Sequence, residues 1–433
     1  MKTLQTLLIT TLLFALHGCT TNPVTGKSEL SLVSQQQEIA MGKQHYAGSI
    51  QSQGGEYYLD RNINTYVNQV GQKLARLSHQ PNLPYEFKVI NSPVPNAWAL
   101  PGGKIAINRG LLMMLDDEAQ LAAVLGHEIV QVTARHGAAQ QTQGMILGIG
   151  GALAQAAAGQ YGGIVADTVN IGGGMIMAKY GRDDELESDY YGTQYISQAG
   201  YDPMASFELQ HKLMSLKSGS QQALNTLFAS HPPSQERMAR NKETAVGLPG
   251  KTRNRQIYRQ KMARMFKDLP AYQQYKNAEK SLKDKNHNKA VSELNKAIKL
   301  QPRESSFWEL KGQILSFQKK HSQAITAYSS AIKYNPTHFK PYVLRGISYY
   351  DSGNLNAAER DLRKGDTIVK TRIASFYQGE VAYDKQQFSL ARKFYTPVAQ
   401  GRDQMAKTAQ AKLNTILKKL QQQNSQQQQQ YTR

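Results

Sequence analysis

His127, Glu128 and Gln131 are the residues of this 433-residue chain whose types and spacing come nearest to catalytic chemistry. On a helix, positions four apart share a face. An H-E-x-x-H motif therefore aims two imidazoles at one metal and leaves the glutamate to activate a water molecule. Here Gln131 stands where the second histidine would be. A His-Glu pair alone usually marks a solvated helix face, so its weight depends on what accompanies it. Glu185 and Asp189 lie four apart in Arg182-Asp183-Asp184-Glu185-Leu186-Glu187-Ser188-Asp189. A zinc site of this kind needs a carboxylate ligand and a further carboxylate to orient a ligating imidazole. His231-Pro232-Pro233-Ser234-Gln235-Glu236-Arg237 adds a third imidazole and a guanidinium.

These residues need elements to position them. Residues 116–136 read as a strong helix with acidic residues in its first turn, as the helix dipole favours. Residues 35–78 read as helical, with Ile63, Val67, Val70 and Leu74 forming one apolar stripe. Tyr85–Val89 alternates like a half-buried strand, Lys104–Ile107 reads as a second strand, and Pro95–Gly103 reads as a bend between them. Residues 144–178 are nearly all Gly, Ala or aliphatic, and their many glycines predict a mobile flap or broken helical hairpin rather than a membrane span. Residues 181–245 return to helical patterning.

The second half repeats. Ala290, Ala297 and Pro302 recur at Ala324, Ala331 and Pro336, and Gly312 recurs at Gly346 and Gly379. A period of 34 with small residues at fixed places resembles tetratricopeptide repeats, in which those residues let paired helices approach closely. About four units fit into 271–401, with residues 402–433 a helical end and a disordered Gln-rich tail.

The chain opens on a short positive start and an apolar run, Leu7 to Leu16, of signal-peptide length. Leu16-His17-Gly18-Cys19 resembles a lipobox, with Cys19 as the lipidated residue. An ordinary secretory signal with an incidental cysteine is the plainer alternative. Thr20 in place of Asp favours the outer membrane, and residues 20–34 read as a polar tether. Cys19 is the sole cysteine, so no disulfide framework exists. Charge divides unevenly: residues 1–250 hold 17 Lys and Arg against 19 Asp and Glu, whereas residues 251–433 hold 35 against 13. The basic half predicts an acidic protein partner or an anionic membrane surface. A secreted location argues against nucleic acid.

With these pieces assembled, the chain resembles the HtpX and CAAX prenyl protease family of zinc metallopeptidases. Within it, the chain is most similar to the periplasmic, repeat-containing β-barrel assembly-enhancing protease branch. The resemblance rests on Asn96-Ala97-Trp98-Ala99-Leu100-Pro101-Gly102-Gly103, the helix 116–136, Glu185 to Asp189, His231-Pro232 with Arg237, and the repeats. It implies an α+β gluzincin-type domain over 35–250, mostly helical with a small sheet, followed by an all-α repeat solenoid. It further implies one Zn2+ held by His127, Glu185 and the residue at 131, with Glu128 as general base and Asp189 hydrogen-bonded to a ligating imidazole. His231 would lie near the metal as a fourth ligand or a stabiliser of the tetrahedral intermediate, with Arg237 supporting its loop. Lys104–Asn108, including Lys104, Ile105 and Ala106, would be the edge strand that pairs with an extended substrate backbone, beside Asn96 and Ala97. Segment 144–178 would cover the cleft.

Gln131 departs from that pattern. A glutamine carbonyl can bind a metal but is neutral and weak. At about 100° per residue it lies about 40° from His127 and faces the same point, whereas His136 lies on the opposite face of an intact helix. His231 is then the compensating ligand, giving His127, Glu185 and His231. Three readings follow: a zinc endopeptidase impaired by Gln131, acting on misfolded or stalled envelope proteins; a non-catalytic, chaperone-like adaptor on a degraded peptidase scaffold; and a recent or engineered change at position 131 of an otherwise active enzyme.

Overall fold

In the computed structural model of the chain, residues 19–143, 145, 180–217 and 224–431 are described. The leader 1–18 and, apart from Met145, the expected flap 144–178 lie outside them. The chain divides into two compact units, Met1–Phe266 and Lys267–Arg433.

In the first unit the expected stretch 35–78 forms two helices, Gln35–Ser52 and Arg61–Ala75. Asp60 caps the second, and Ile63, Val67, Val70 and Leu74 are all buried along it. Three strands follow: Glu86–Ile90, Ala97–Leu100 and Lys104–Asn108. The segment expected to be only a bend thus contains a strand. The turn back into the next strand is sharp because Gly102 and Gly103 have φ of +75° and +86°. A Cβ on Gly102 would come within 2.5 Å of the Ile39 Cα.

Strand order corrects one expectation. Lys104–Asn108 is central, parallel to Glu86–Ile90 on one side and antiparallel to Ala97–Leu100 on the other. Both of its sides are hydrogen-bonded, so Lys104, Ile105 and Ala106 cannot pair with a substrate. Lys104 is buried and donates to the Pro84 carbonyl and Glu86. Ala97–Leu100 is the edge strand on the antiparallel side, as Glu86–Ile90 is on the other. Asn108 N–H donates to the Asn96 carbonyl, which makes 96–108 a hydrogen-bonded pair. By the antiparallel alternation, Ala97 and Ala99 turn their backbone groups to the free side.

The helix expected over 116–136 spans Glu118–Thr133, capped by Asp117, and all of its residues are buried. Arg135, with φ of 61°, turns the chain left-handed just past its end. That conformation costs about 1–2 kcal/mol. It is offset by Arg135 Nε donating to Glu38 (2.7 Å), Nη1 to Thr20 Oγ1 (2.8 Å) and Nη2 to the Val33 carbonyl (2.7 Å). These bonds also revise the expected tether 20–34. Cys19–Thr21 pairs with Ser28–Leu30 as a small hairpin, and Asn22 reaches Glu187.

Helix Arg182–Gln198 packs against Glu118–Thr133 at two glycines. A Cβ on Gly192 would lie 2.9 Å from the His127 backbone nitrogen, and one on Gly126 would lie 3.0 Å from the Gly192 carbonyl oxygen.

The second unit contains four helical hairpins, Leu269–Lys283 with His287–Leu300, Ser305–Phe317 with His321–Tyr334, Phe339–Asp351 with Leu355–Ile368, and Arg372–Asp384 with Phe388–Ala399. Gly312 and Gly379 sit against the rings of Tyr328 and Tyr395, where a Cβ would come within 2.5 and 2.7 Å. The small residues of the repeat therefore do permit close helix pairing. A last helix, Gln404–Tyr431, continues through the Gln-rich run expected to be a disordered tail. Glutamine is an adequate helix former, and Ala409 and Ile416 anchor the helix in the last hairpin's core.

Gly192→Ala is expected to lose about 1–3 kcal/mol, because the added methyl meets backbone that cannot yield. Gly48→Ala, in a helix with nothing near its Cβ, should be neutral or stabilising by up to about 1 kcal/mol. Urea denaturation of the two variants checks the contrast.

Candidate metal centre

The close helix crossing brings Glu185 and Asp189 beside His127. Asp189 Oδ1 lies 2.9 Å from His127 Nδ1, leaving Nε2 to face the cluster. Arg237 comes from the helix Gln235–Ala245, whose start is capped by Ser234. Its guanidinium grips Asp189 in a fork, with Nε donating to Oδ2 at 2.7 Å and Nη2 to Oδ1 at 2.8 Å. Nη1 lies 2.5 Å from Glu185 Oε2 and donates to the Pro232 carbonyl at 3.2 Å, tying in the loop that carries His231.

His231, at the end of Asn225–Ser230, places Nδ1 2.8 Å from Glu185 Oε1 and 3.3 Å from His127 Nε2. His127 Nε2 and Glu185 Oε1 are 3.5 Å apart. Two of these three separations match the edge of a tetrahedral zinc site, about 3.3 Å for bonds near 2.0–2.1 Å. His127, Glu185 and His231 are buried and offer ligand atoms within 4.8 Å of one another, so the donor set fits a zinc ion. The Tyr180 ring, 5.4 Å from that of His231, walls the cluster on one side; no spacing rule marked it in the sequence.

Charge in the cluster follows burial and neighbours. Burial opposes protonation of His127, but Glu185 and Asp189 outweigh it and lift its pKa to about 10. Burial would raise Glu185, yet His231, His127 and Arg237 hold it well below the ordinary carboxylate range. Asp189 is likewise held low by Arg237 against its own burial. Glu128 goes the other way: burial raises its pKa. Its Oε1 lies 3.5 Å from His231 Nε2, and its Oε2 is buried with no hydrogen-bond partner among the described residues.

Two sequence expectations read differently in three dimensions. Gln131 faces the cluster with its amide nitrogen, 3.2 Å from His127 Nε2 and 3.1 Å from Glu185 Oε1. His136 is not carried to the far face, because the helix ends before it and the turn at Arg135 folds it back. Its Nδ1 lies 2.6 Å from Gln131 Oε1. Asn96 and Ala97 lie at the start of the edge strand, and Ala97 lines a cavity of about 50 Å³ with His127, Glu128 and His231. In that cavity wall, Ser188 Oγ and Gln210 Oε1 are buried without partners among the described residues.

A buried His-Glu-His cluster backed by an Asp-Arg pair, beside a buried carboxylate with one unpartnered oxygen, is a site that could hold a metal ion. Residues 62–245 match Peptidase family M48, and residues 305–338 match the tetratricopeptide repeat. The chain carries a peptidase family M48 domain followed by tetratricopeptide repeats. It is 32% identical over 224 residues to the mitochondrial metalloendopeptidase OMA1 of Schizosaccharomyces pombe, covering 51% of this chain and 65% of that protein. It is 31% identical over 228 residues to the β-barrel assembly-enhancing protease of Escherichia coli, covering 51% of this chain and 46% of that one. The metalloprotease YcaL of Escherichia coli is 29% identical over 180 residues, covering 39% and 66%. The matches span between about half and two thirds of the length of these relatives.

Arg237→Met is expected to cost about 3–5 kcal/mol by removing the guanidinium that two buried carboxylates share. Arg237→Lys should recover only part of this, since an ammonium cannot make the fork. Because the folded Asp189 and Glu185 carboxyls are held low, their stabilisation is complete above the unfolded range near pH 4 and is lost as the pH falls below it. Denaturation curves between pH 3 and about 7 should therefore fall more steeply for the parent than for Arg237→Met.

Proposed function

We propose that the chain is a zinc-dependent metalloendopeptidase of the cell envelope, acting on misfolded or stalled outer-membrane proteins. The observation that carries this reading is the buried convergence of His127, Glu185 and His231 next to Glu128, whose Oε2 has no hydrogen-bond partner among the described residues. His127 Nε2, Glu185 Oε1 and His231 Nδ1 would hold the ion, and Gln131 would not be a ligand in the arrangement described. Bound there, zinc supplies Lewis-acid polarisation of a peptide carbonyl.

The chain's own groups do the rest. Ala97 and Ala99 offer backbone donors and acceptors to an extended substrate along the edge strand. The cavity beside Ala97 receives a substrate side chain. Asp189 and Arg237 keep the His127 ring fixed. Glu128, whose carboxyl is raised by burial, takes a proton from the attacking water and passes it to the leaving amine nitrogen. His231 Nε2 stands near Glu128 and steadies it between the two steps.

The localisation follows the sequence: a lipobox at Cys19 supports a periplasmic protein anchored to the outer membrane. Among the described residues no helix is long and apolar enough to cross a membrane. The basic repeat unit docks to an acidic protein partner or an anionic membrane surface. A second reading, a chaperone-like adaptor that holds clients without cutting them, is favoured by one observation: the Gln131 amide already bonds the cluster.

Hydrolysis of an unfolded protein by the zinc-loaded chain should fall about 10²–10⁴-fold in Glu128→Gln and vanish with a chelator, while Gln131→His should exceed the parent. Turnover unchanged in Glu128→Gln would sink the mechanism, and aggregation suppression unaltered by that substitution would support the adaptor. For the repeat unit, binding to anionic vesicles or an acidic protein should weaken steeply between 0.05 and about 0.5 M salt. Persistence at the higher concentration would rule out the electrostatic docking.

A further inference from the structure

Gln131 stands at the one position where the donor set departs from the motif, and its hydrogen bonds fix which way its amide points. Glu185 Oε1 is a carboxylate oxygen that only accepts, so the Gln131 atom 3.1 Å away must be the N–H-bearing nitrogen. The same nitrogen lies 3.2 Å from His127 Nε2. The amide oxygen points away and accepts from His136 Nδ1 at 2.6 Å. His136 is held in turn: its Nε2 lies 3.3 Å from Glu187 Oε1, and that oxygen also accepts from Asn22 of the N-terminal hairpin at 3.3 Å. A chain of contacts thus runs from the hairpin through Glu187 and His136 to the amide. Gln131 and His136 are 2% and 4% exposed, so water competes with neither.

Turning the amide over would set its oxygen against the Glu185 carboxylate and its nitrogen against the His136 donor, losing both bonds. The Gln131 amide nitrogen thus stands within 3.2 Å of His127 Nε2 and Glu185 Oε1, two of the three donor atoms a zinc ion would need. We propose that Gln131, oriented by His136, is an intramolecular competitor for the metal rather than one of its ligands. His136 and Glu187 are then positioning residues for that lock. This rests on the metal-site reading above but inverts what position 131 does within it: the side chain withholds the donors instead of adding one.

The two roles differ in the sign of one measurement. If Gln131 competes, removing the amide strengthens zinc binding; if it is a ligand, removal weakens it. Zinc titration of the full chain against a chromophoric chelator should give Gln131→Leu and Gln131→Ala a Kd about tenfold below that of the parent, the worth of one or two buried hydrogen bonds. His136→Ala, which releases the amide oxygen to turn inward, should also tighten binding, and adding His136→Ala to Gln131→Leu should bring no further gain. Weaker binding by both position-131 variants would overturn the proposal. A metal-free measurement keeps the lock separate from the metal site. In the apo protein, the melting-temperature losses of Gln131→Leu and His136→Ala should be non-additive, with the double variant melting near the worse single. Absence of zinc binding in parent and variants alike would end the metalloenzyme reading, and the apo cycle would still decide the lock: additive losses refute it.

Discussion

The guanidinium of Arg237 is the charge on which the centre depends. Asp189 and Glu185 are buried, and a carboxylate removed from water costs several kcal/mol unless a cation and hydrogen bonds answer it. Arg237 answers both at once, forking onto Asp189 while reaching Glu185, and it holds the Pro232 carbonyl besides. One side chain therefore shares its charge between both carboxylates, sets the orienter of His127 and anchors the loop of His231. Its planar fork is suited to this in a way a lysine is not.

That charge network can assemble only because two helices touch. Gly126 and Gly192 leave no room for a Cβ at the crossing, and the backbone of His127 itself forms part of the contact. The close approach places Glu185 and Asp189, one turn apart on the second helix, at two different atoms of one imidazole's surroundings. The edge strand Ala97–Leu100 then borders the same cleft, since Ala97 shares a cavity with His127, Glu128 and His231. The His-Glu-His cluster and the edge strand are thus brought together by packing of small residues: two glycines between the helices and alanines on the strand.

The N-terminal hairpin belongs to this arrangement as well. Arg135 adopts a left-handed conformation to bind Thr20, Val33 and Glu38, and in doing so it folds His136 back toward Gln131. The segment before the first long helix is polar because its polar groups have partners, not because it is a free linker. In the second unit, small residues serve close helix pairing as well. Gly312 and Gly379 let tyrosine rings fill the space between paired helices.

The sequence by itself determined the parts whose signal is local. Spacing of four put His127 with position 131 and Glu185 with Asp189 on shared helix faces, the apolar stripe at Ile63 to Leu74 marked a buried helix, and the period of 34 marked the repeats. It also pointed to His231 as the group that joins His127 and Glu185. Only the tertiary structure decided which strand is the edge, because strand order depends on pairing between segments and not on the pattern within one. Lys104–Asn108 read as a strand and Ala97–Leu100 as part of a bend, and only hydrogen bonding between segments separates centre from rim. The place of His136 was hidden for a related reason. Helical geometry assigns it to the far face only if the helix continues, and a single left-handed residue, stabilised by contacts with residues about a hundred positions away, ends it first. The orientation of the Gln131 amide has the same origin: its two ends are chosen by a carboxylate and an imidazole that the chain brings there only when folded.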